Sequence, residues 1–290
     1  PLIGRVRNAV GNNFEIRVDR ADGSTAPITG VDVYYIAVEE GVYTVAKHGV
    51  KMEAVRVVSS STDSRGVWIG QQRSYLNSYT SPVVVGQVLT ANDGDASVFW
   101  ARGASSSDPP SSSQLYVGKH VGEHRDTTRA DEVLGYIVIE SGTGEIGDVG
   151  YIANVGAETV VGPQNGAPVT YPPSGLASIS TAVVSVAGMN GLDGGWPVLA
   201  GSDAVTPRGL RLFFEEDLWQ DQERVHTAEQ VAYLVFGERS EPHLQTGTVD
   251  NVNTTTWTTV TLDHTYNSMV VVASASYAAG DPPLATRVRN

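Results

Sequence analysis

Apolar residues along this chain fall in short, strand-length runs. EIRV (15–18), VYYIAVEE (33–40), SVFWAR (97–102), LYVGK (115–119) and VVVASASY (270–277) are rich in Val, Ile and Tyr, with Gly, Asn, Asp and Pro at their borders. No long 3.6-residue periodicity competes with them, so the pattern predicts an antiparallel all-β protein. AVGNNF (9–14) and RADGST (20–25) read as hairpin or loop tips.

The runs repeat. Segments beginning at Phe14, Leu115 and Leu212 share a strand, loop, strand layout and superpose without a gap. Phe14, Leu115 and Leu212 correspond, as do Ile16, Val117 and Phe214, and then Tyr35, Tyr136 and Tyr233. A second phrase is shared upstream: Tyr79-Thr-Ser-Pro-Val-Val-Val, Tyr266-Asn-Ser-Met-Val-Val-Val and, in the third copy, Gly195-Trp-Pro-Val-Leu-Ala. The Gly/Pro-rich lead from Gly162 to Gly175 reads as an elaborated loop of that copy. The three tyrosines lie 101 and 97 residues apart, and PLIGRVRN at the start recurs as PLATRVRN 282 residues later.

These spacings predict three tandem antiparallel β-sandwich modules, the first and last segments being halves of a permuted module. The expected divisions are 1–48 (back half), 49–143, 144–240 and 241–290 (front half of the next copy). The covered chain then reads as one period of a longer array.

The order of phrases in each module resembles the H-type lectin family: a Pro-preceded V-V-V strand, a central strand with an aromatic or Arg (SVFWARG; TRVRN), an F-x-I/V strand and a closing Y-I-A-V strand. The resemblance implies a six-stranded sandwich, three-fold assembly and binding of N-acetylgalactosamine-type sugars. Three fused modules would then form a pseudo-trimeric ring. On the same resemblance the sugar-contact candidates are Arg7, Trp100 and Arg102. Trp219 joins them because exposed aromatics make good sugar-stacking platforms, and polar residues or glycine closely follow both Trp100 and Trp219.

Charge narrows the partners. With 32 acidic and 19 basic residues the net charge is -13, which repels nucleic acid and anionic bilayers, and no apolar run approaches a membrane span. The absence of cysteine excludes disulfides and thiolate chemistry. Lysine occurs only at 47, 51 and 119, a balance that suits an extracellular and salty setting.

Several clusters invite a chemical reading. His120-Val-Gly-Glu123-His124 has the H-x-x-E-H spacing of inverted zinc peptidases, but on a strand its imidazoles would stand about 13 Å apart, too far for one metal. Asn92-Asp93-Gly94-Asp95 offers oxygens for Ca²⁺ through Asp93 and Asp95, against the alternative of a plain turn. The acidic run Glu215, Glu216, Asp217 and Asp221 could meet Arg5, Arg7, Arg17 and Arg20 of a neighbouring module and set register. No nucleophile elbow, phosphate-cradling loop or dinucleotide fingerprint is present, so enzyme activity is disfavoured. The expectation is a non-enzymatic extracellular repeat protein that forms or decorates a filament, sheath or adhesin stalk with copies of itself. The alternative is a multivalent lectin for cell-surface or matrix glycans. A secreted hydrolase accessory module is a distant third.

Overall fold

A computed structural model of the chain describes residues 2–176, 179–207, 209–237, 240–241, 243–277 and 285–287. Two strands open the chain, β1 (Leu2–Arg20) and β2 (Val31–Glu39). Seven follow, with a single helical turn α1 (Val45–His48) among them: β3 (Gly41–Tyr43), β4 (Met52–Ser59), β5 (Gln71–Gln72), β6 (Pro82–Val88), β7 (Val98–Arg102), β8 (Tyr116–His120) and β9 (Glu132–Glu140). The next group is β10 (Gly142–Ile146), β11 (Val149–Val155), β12 (Val169–Tyr171), β13 (Thr181–Val186), β14 (Trp196–Ala200), β15 (Val205–Thr206), β16 (Gly209–Glu215) and β17 (Val231–Phe236). The chain closes with β18 (Ser240–Glu241), β19 (Leu244–Val252), β20 (Thr258–Tyr266), β21 (Met269–Tyr277) and β22 (Ala285–Arg287).

One strand order recurs three times. The second unit pairs β3-β4-β9-β6 in one sheet and β5-β8-β7 in the other; the third pairs β10-β11-β17-β13 and β12-β16-β14. The remaining unit is assembled from both ends of the chain, as β18-β19-β2-β21 and β20-β1-β22. In all three the tyrosine-bearing strand lies inside its sheet, and Tyr35, Tyr136 and Tyr233 stand opposite Ala273, Gly86 and Val184. The protein is all-β, and strands from the two end segments pair with each other in the same sheets. A parallel pairing of β14 with β21 joins the third unit to this one.

Register also corrects the alignment of the third copy. The counterpart of Val83–Val85 and Val270–Val272 is β13, within TAVVSV, whereas Trp196-Pro-Val belongs to β14 and pairs with β16 as β7 pairs with β8. Both strands are buried along their whole length, so their apolar runs carry no period to tell them apart. Pairing of β3 with β4, and of β10 with β11, likewise moves Gly41–Tyr43 into the second unit and Gly142–Ile146 into the third, earlier than the divisions at 48 and 143. AVGNNF is not a hairpin tip: it lies within β1, where the register against β20 shifts between Gly11 and Asn13.

Each unit has its own core. Phe14 meets Tyr35 edge-on at 5.1 Å in the first, Phe99 and Tyr136 stack in the second, and Tyr171 and Tyr233 pack in the third. A fourth core lies between units and draws on all of them: Ile36, Val85, Ile137, Val183, Leu234 and Val272. It explains why β6, β13 and β21 are buried almost along their whole length, since one face fills a sandwich and the other fills the junction. These three strands touch one another about a pseudo-threefold axis.

Candidate functional site

At one end of this axis the loops after β1, β8 and β16 converge. Asp217, two residues past the end of β16, accepts the Trp219 amide on Oδ1 at 3.1 Å, while its Oδ2 accepts the Glu123 amide of the second unit at 2.9 Å. The Leu218 amide donates to the Ala21 carbonyl of the first unit at 2.9 Å. The Trp219 indole is thereby held edge-on to His124, with ring centroids 4.4 Å apart. Gly23 lies against the same ring: its φ of +69° suits glycine, and a Cβ there would sit 3.0 Å from the indole. A cleft of about 410 Å³ opens beside them, lined also by Arg20, Asp95 and Arg129.

The cleft is electrostatically mixed. The Arg129 guanidinium is buried and donates to the carbonyls of Ala96, Asp126 and Thr128. Burial pushes the Asp217 carboxyl up to about 7. Trp219 is half-buried, so one aromatic platform, threonine hydroxyls from Thr254 and Thr255, and charges of both signs share one concave surface. Such a lining suits a hydroxyl-rich ligand.

The other sugar candidates lie elsewhere. Trp100 is 0% exposed and donates its indole N–H to Asp63 at 3.1 Å, so it offers no stacking face to solvent and is corrected to a core residue. Arg102 is buried as well: its guanidinium donates to the carbonyls of Trp68, Ile69, Gly103 and Ala104 and lies 3.9 Å over the Tyr116 ring. Arg7 bonds Glu15 and stacks on Trp257 at 4.7 Å. The signal that could have flagged Trp100 is its strand: SVFWAR is buried at both Phe99 and Trp100, as a strand covered on two faces must be.

The expected pairing of acidic and Arg-rich surfaces is also corrected. Arg17 pairs with Asp19 and Arg20 with Asp22, each two residues along the same segment. Glu215 binds Arg224, and Glu216 binds His226. Local partners win because they need no ordering of a second surface. Asp217 of that run bridges units by accepting the Glu123 backbone amide. Glu215 reaches Tyr277 of the first unit as well. The side chain of Arg5 lies outside the described residues.

Asp93 and Asp95 sit in a loop that a glutamate already clasps. Glu132 accepts the amides of Asn92 and Asp93, the Asn92 side chain donates to the Asp131 carbonyl, and the Asp93 carboxylate accepts the amides of Asp95 and Ala130. The third unit repeats this clasp: Glu229 accepts the amides of Asn190 and Gly191, and the Asn190 side chain donates to Ala228. Glu132 and Glu229 each lie four residues before their repeat tyrosine, and Asn92 and Asn190 lie 44 and 43 residues before it, a signal that alignment of the two copies with a one-residue gap contained. Among the described residues no group of three or more His, Cys, Asp or Glu side chains is placed to hold a metal.

The H-x-x-E-H stretch leaves its strand at His120 and turns. Burial pulls the His120 imidazole down to about 4, which keeps it neutral; Nδ1 accepts the Gly122 amide and Nε2 donates to the Gly195 carbonyl of the third unit at 3.1 Å. Glu123 pairs with Arg65, and His124 faces Trp219. Sequence reading missed a further histidine, His226, which is buried between Glu216 at 3.0 Å and Glu229 at 3.1 Å and raised to about 9 by those carboxylates against the opposing effect of burial.

With this geometry in place, comparison with known proteins adds one likeness. The chain is similar to Halomucin of Haloquadratum walsbyi. The two are 27% identical over 286 residues, which is 97% of this chain and 3% of Halomucin. The likeness therefore runs through all three units, and the chain spans about 3% of the length of that relative. No protein-family profile matches the chain, the H-type lectin family included, and no solved structure matches it. Among the described residues no helix is long and apolar enough to cross a membrane.

Proposed function

We propose that this chain is a non-enzymatic structural unit of an extracellular or cell-surface protein, in which bodies of three fused sandwiches follow one another to build a filament, sheath or adhesin stalk. The observation that carries this reading is the use of chemistry-bearing side chains as structural clasps between and within units, as seen at Asp217, His120, Glu132 and Glu229. The similarity to a short stretch of a far longer protein supports repetition, and the name Halomucin, which joins salt and mucin, fits an acidic surface polymer. Copies of the same chain are its main partners in this reading.

Two copies joined in tandem and viewed by negative-stain electron microscopy test it. A straight pair of equal beads with a fixed spacing supports the scaffold. Two bodies at random angles on a slack tether count against it. The Trp219 cleft favours a second reading, a glycan-binding module. A glycan array with sugar-competed binding that Trp219→Ala abolishes would establish that reading instead.

A further inference from the structure

The opposite end of the pseudo-threefold axis holds a second and larger hollow. Its volume is about 990 Å³, and it is walled by β3 and α1 of the second unit, β10 of the third and the start of β19. On one side Tyr43, His48 and His243 form an aromatic cluster, with Tyr43 edge-on to His48 at 5.0 Å and the two imidazoles 6.4 Å apart. Lys47 lies beside them. On the other side Leu176 and the backbone of β10 make a shallow wall, and five of the fourteen described lining residues are glycines, so little side-chain bulk fills the space.

The hollow gathers basic groups within an acidic chain. Its described lining carries Lys47, His48 and His243 against one acid, Glu145, in a chain whose net charge is -13. His48 is held below the ordinary histidine range first by partial burial and then by the charges of Lys47 and His243. Its Nδ1 accepts the Thr44 amide at 3.0 Å, which directs the protonatable Nε2 away from the backbone of α1. An anion placed among these groups relieves their repulsion, and a concave wall focuses the attraction. The Tyr43 and imidazole rings add apolar area for a ring-shaped body, and Glu145 adds an acceptor for hydroxyls.

We propose that this axial hollow binds a carboxylate-bearing sugar, with Lys47, His48 and His243 receiving the carboxylate and the aromatic cluster receiving the sugar ring. The site does not depend on the scaffold reading, because a filament unit and a free lectin would present it equally.

Isothermal titration and saturation-transfer NMR with glucuronate test it, with glucose, acetate and inorganic phosphate as comparison ligands. Glucuronate should bind saturably and about tenfold or more tightly than each of the other three. Binding should strengthen as pH falls and His48, which shares the hollow with Lys47, His243, Tyr43 and Glu145 and is held below the ordinary histidine range, takes up a proton. Lys47→Gln and His243→Asn, both at exposed positions, should each weaken glucuronate by about tenfold while leaving the circular dichroism spectrum unchanged. Equal binding of glucose would overturn the anionic part of the proposal, and equal binding of acetate or phosphate would overturn the sugar part. Absence of saturable glucuronate binding, or affinity unchanged in both variants, would overturn it altogether.

Discussion

The Oγ atom of Ser185 accepts the backbone amide of Gly86 at 2.9 Å, so a side chain of the third sandwich closes a main-chain donor of the second. The relation continues around the axis: Ser274 accepts the Val184 amide at 3.0 Å and Gln87 accepts the Ala273 amide at 3.4 Å. Gly86, Val184 and Ala273 are the residues opposite the three repeat tyrosines, and Gln87, Ser185 and Ser274 are the residues that follow them. Three central strands thus lend each other the hydrogen bonds that a shared sheet would have supplied.

Ser185→Ala should lower the unfolding free energy by about 1–3 kcal/mol, because it leaves the Gly86 amide buried without an acceptor. Ser274→Ala should behave alike, and Gln87→Ala should cost less because its bond is longer. Urea unfolding at constant slope measures each value. A loss below about 0.3 kcal/mol for both serine variants would show that the axial bonds contribute nothing to stability.

Stability should fall as pH rises from about 6.5 to about 9. His226 is raised from 6.5 to about 9 in the fold and Asp217 from 3.8 to about 7, so at both groups the folded state holds more protons than the unfolded chain and their part of the slope of unfolding free energy with pH is negative. Between about 4 and 6.5 the neutral His120, lowered to about 4, contributes a slope of the opposite sign that offsets that of Asp217. The His226 contribution is complete below about 6.5 and is lost on approach to 9; that of Asp217 is lost earlier, between about 4 and 7. Each amounts to a loss on the order of 3–4 kcal/mol. Urea midpoints across this range check the trend. His226→Gln should flatten the upper part, and Asp217→Asn should leave the His120 contribution unopposed, so that stability rises with pH between about 4 and 6.5.

Arg102 should resist conservative replacement. Its guanidinium serves four carbonyls and covers the Tyr116 ring, which a lysine ammonium with three donors and no planar face cannot reproduce. Arg102→Lys should cost about 2–3 kcal/mol in urea unfolding, which places the residue among the determinants of the fold.

The fold was legible where the residues alternate or recur. Phe14, Leu115 and Leu212 and the tyrosines at 35, 136 and 233 fix the repeat, because a buried aromatic on an inner strand tolerates few substitutes. The permuted unit followed from the spacing of those tyrosines. What could not be read was the junction. Trp196-Pro-Val and Thr181-Ala-Val-Val look alike because strands covered on both faces lose the two-residue period, so the third copy was aligned on the wrong strand. Trp100 was misplaced at the surface for the same reason. Trp219, expected as an exposed stacking platform, is half-buried, and its partners Gly23 and His124 come from other units and leave no local trace.

The loop that carries Asp93 and Asp95 supports a last prediction, which separates a cation site from a clasp. Glu132 and Asp93 already spend their oxygens on backbone amides, and Glu229 does the same in the third unit without a second aspartate next to Asn190. A loop ordered in this way gains little from a divalent cation, which would have to displace amide donors from carboxylates it already satisfies. Thermal unfolding in millimolar Ca²⁺ and in chelator should therefore give the same midpoint, while Glu132→Gln should lower it by about 4 °C or less, in line with a loss of roughly 1–2 kcal/mol in a chain of this size. A midpoint that rises with Ca²⁺ in the parent protein and no longer does so in Asp93→Asn would reinstate the cation site and make the clasp its ligand set.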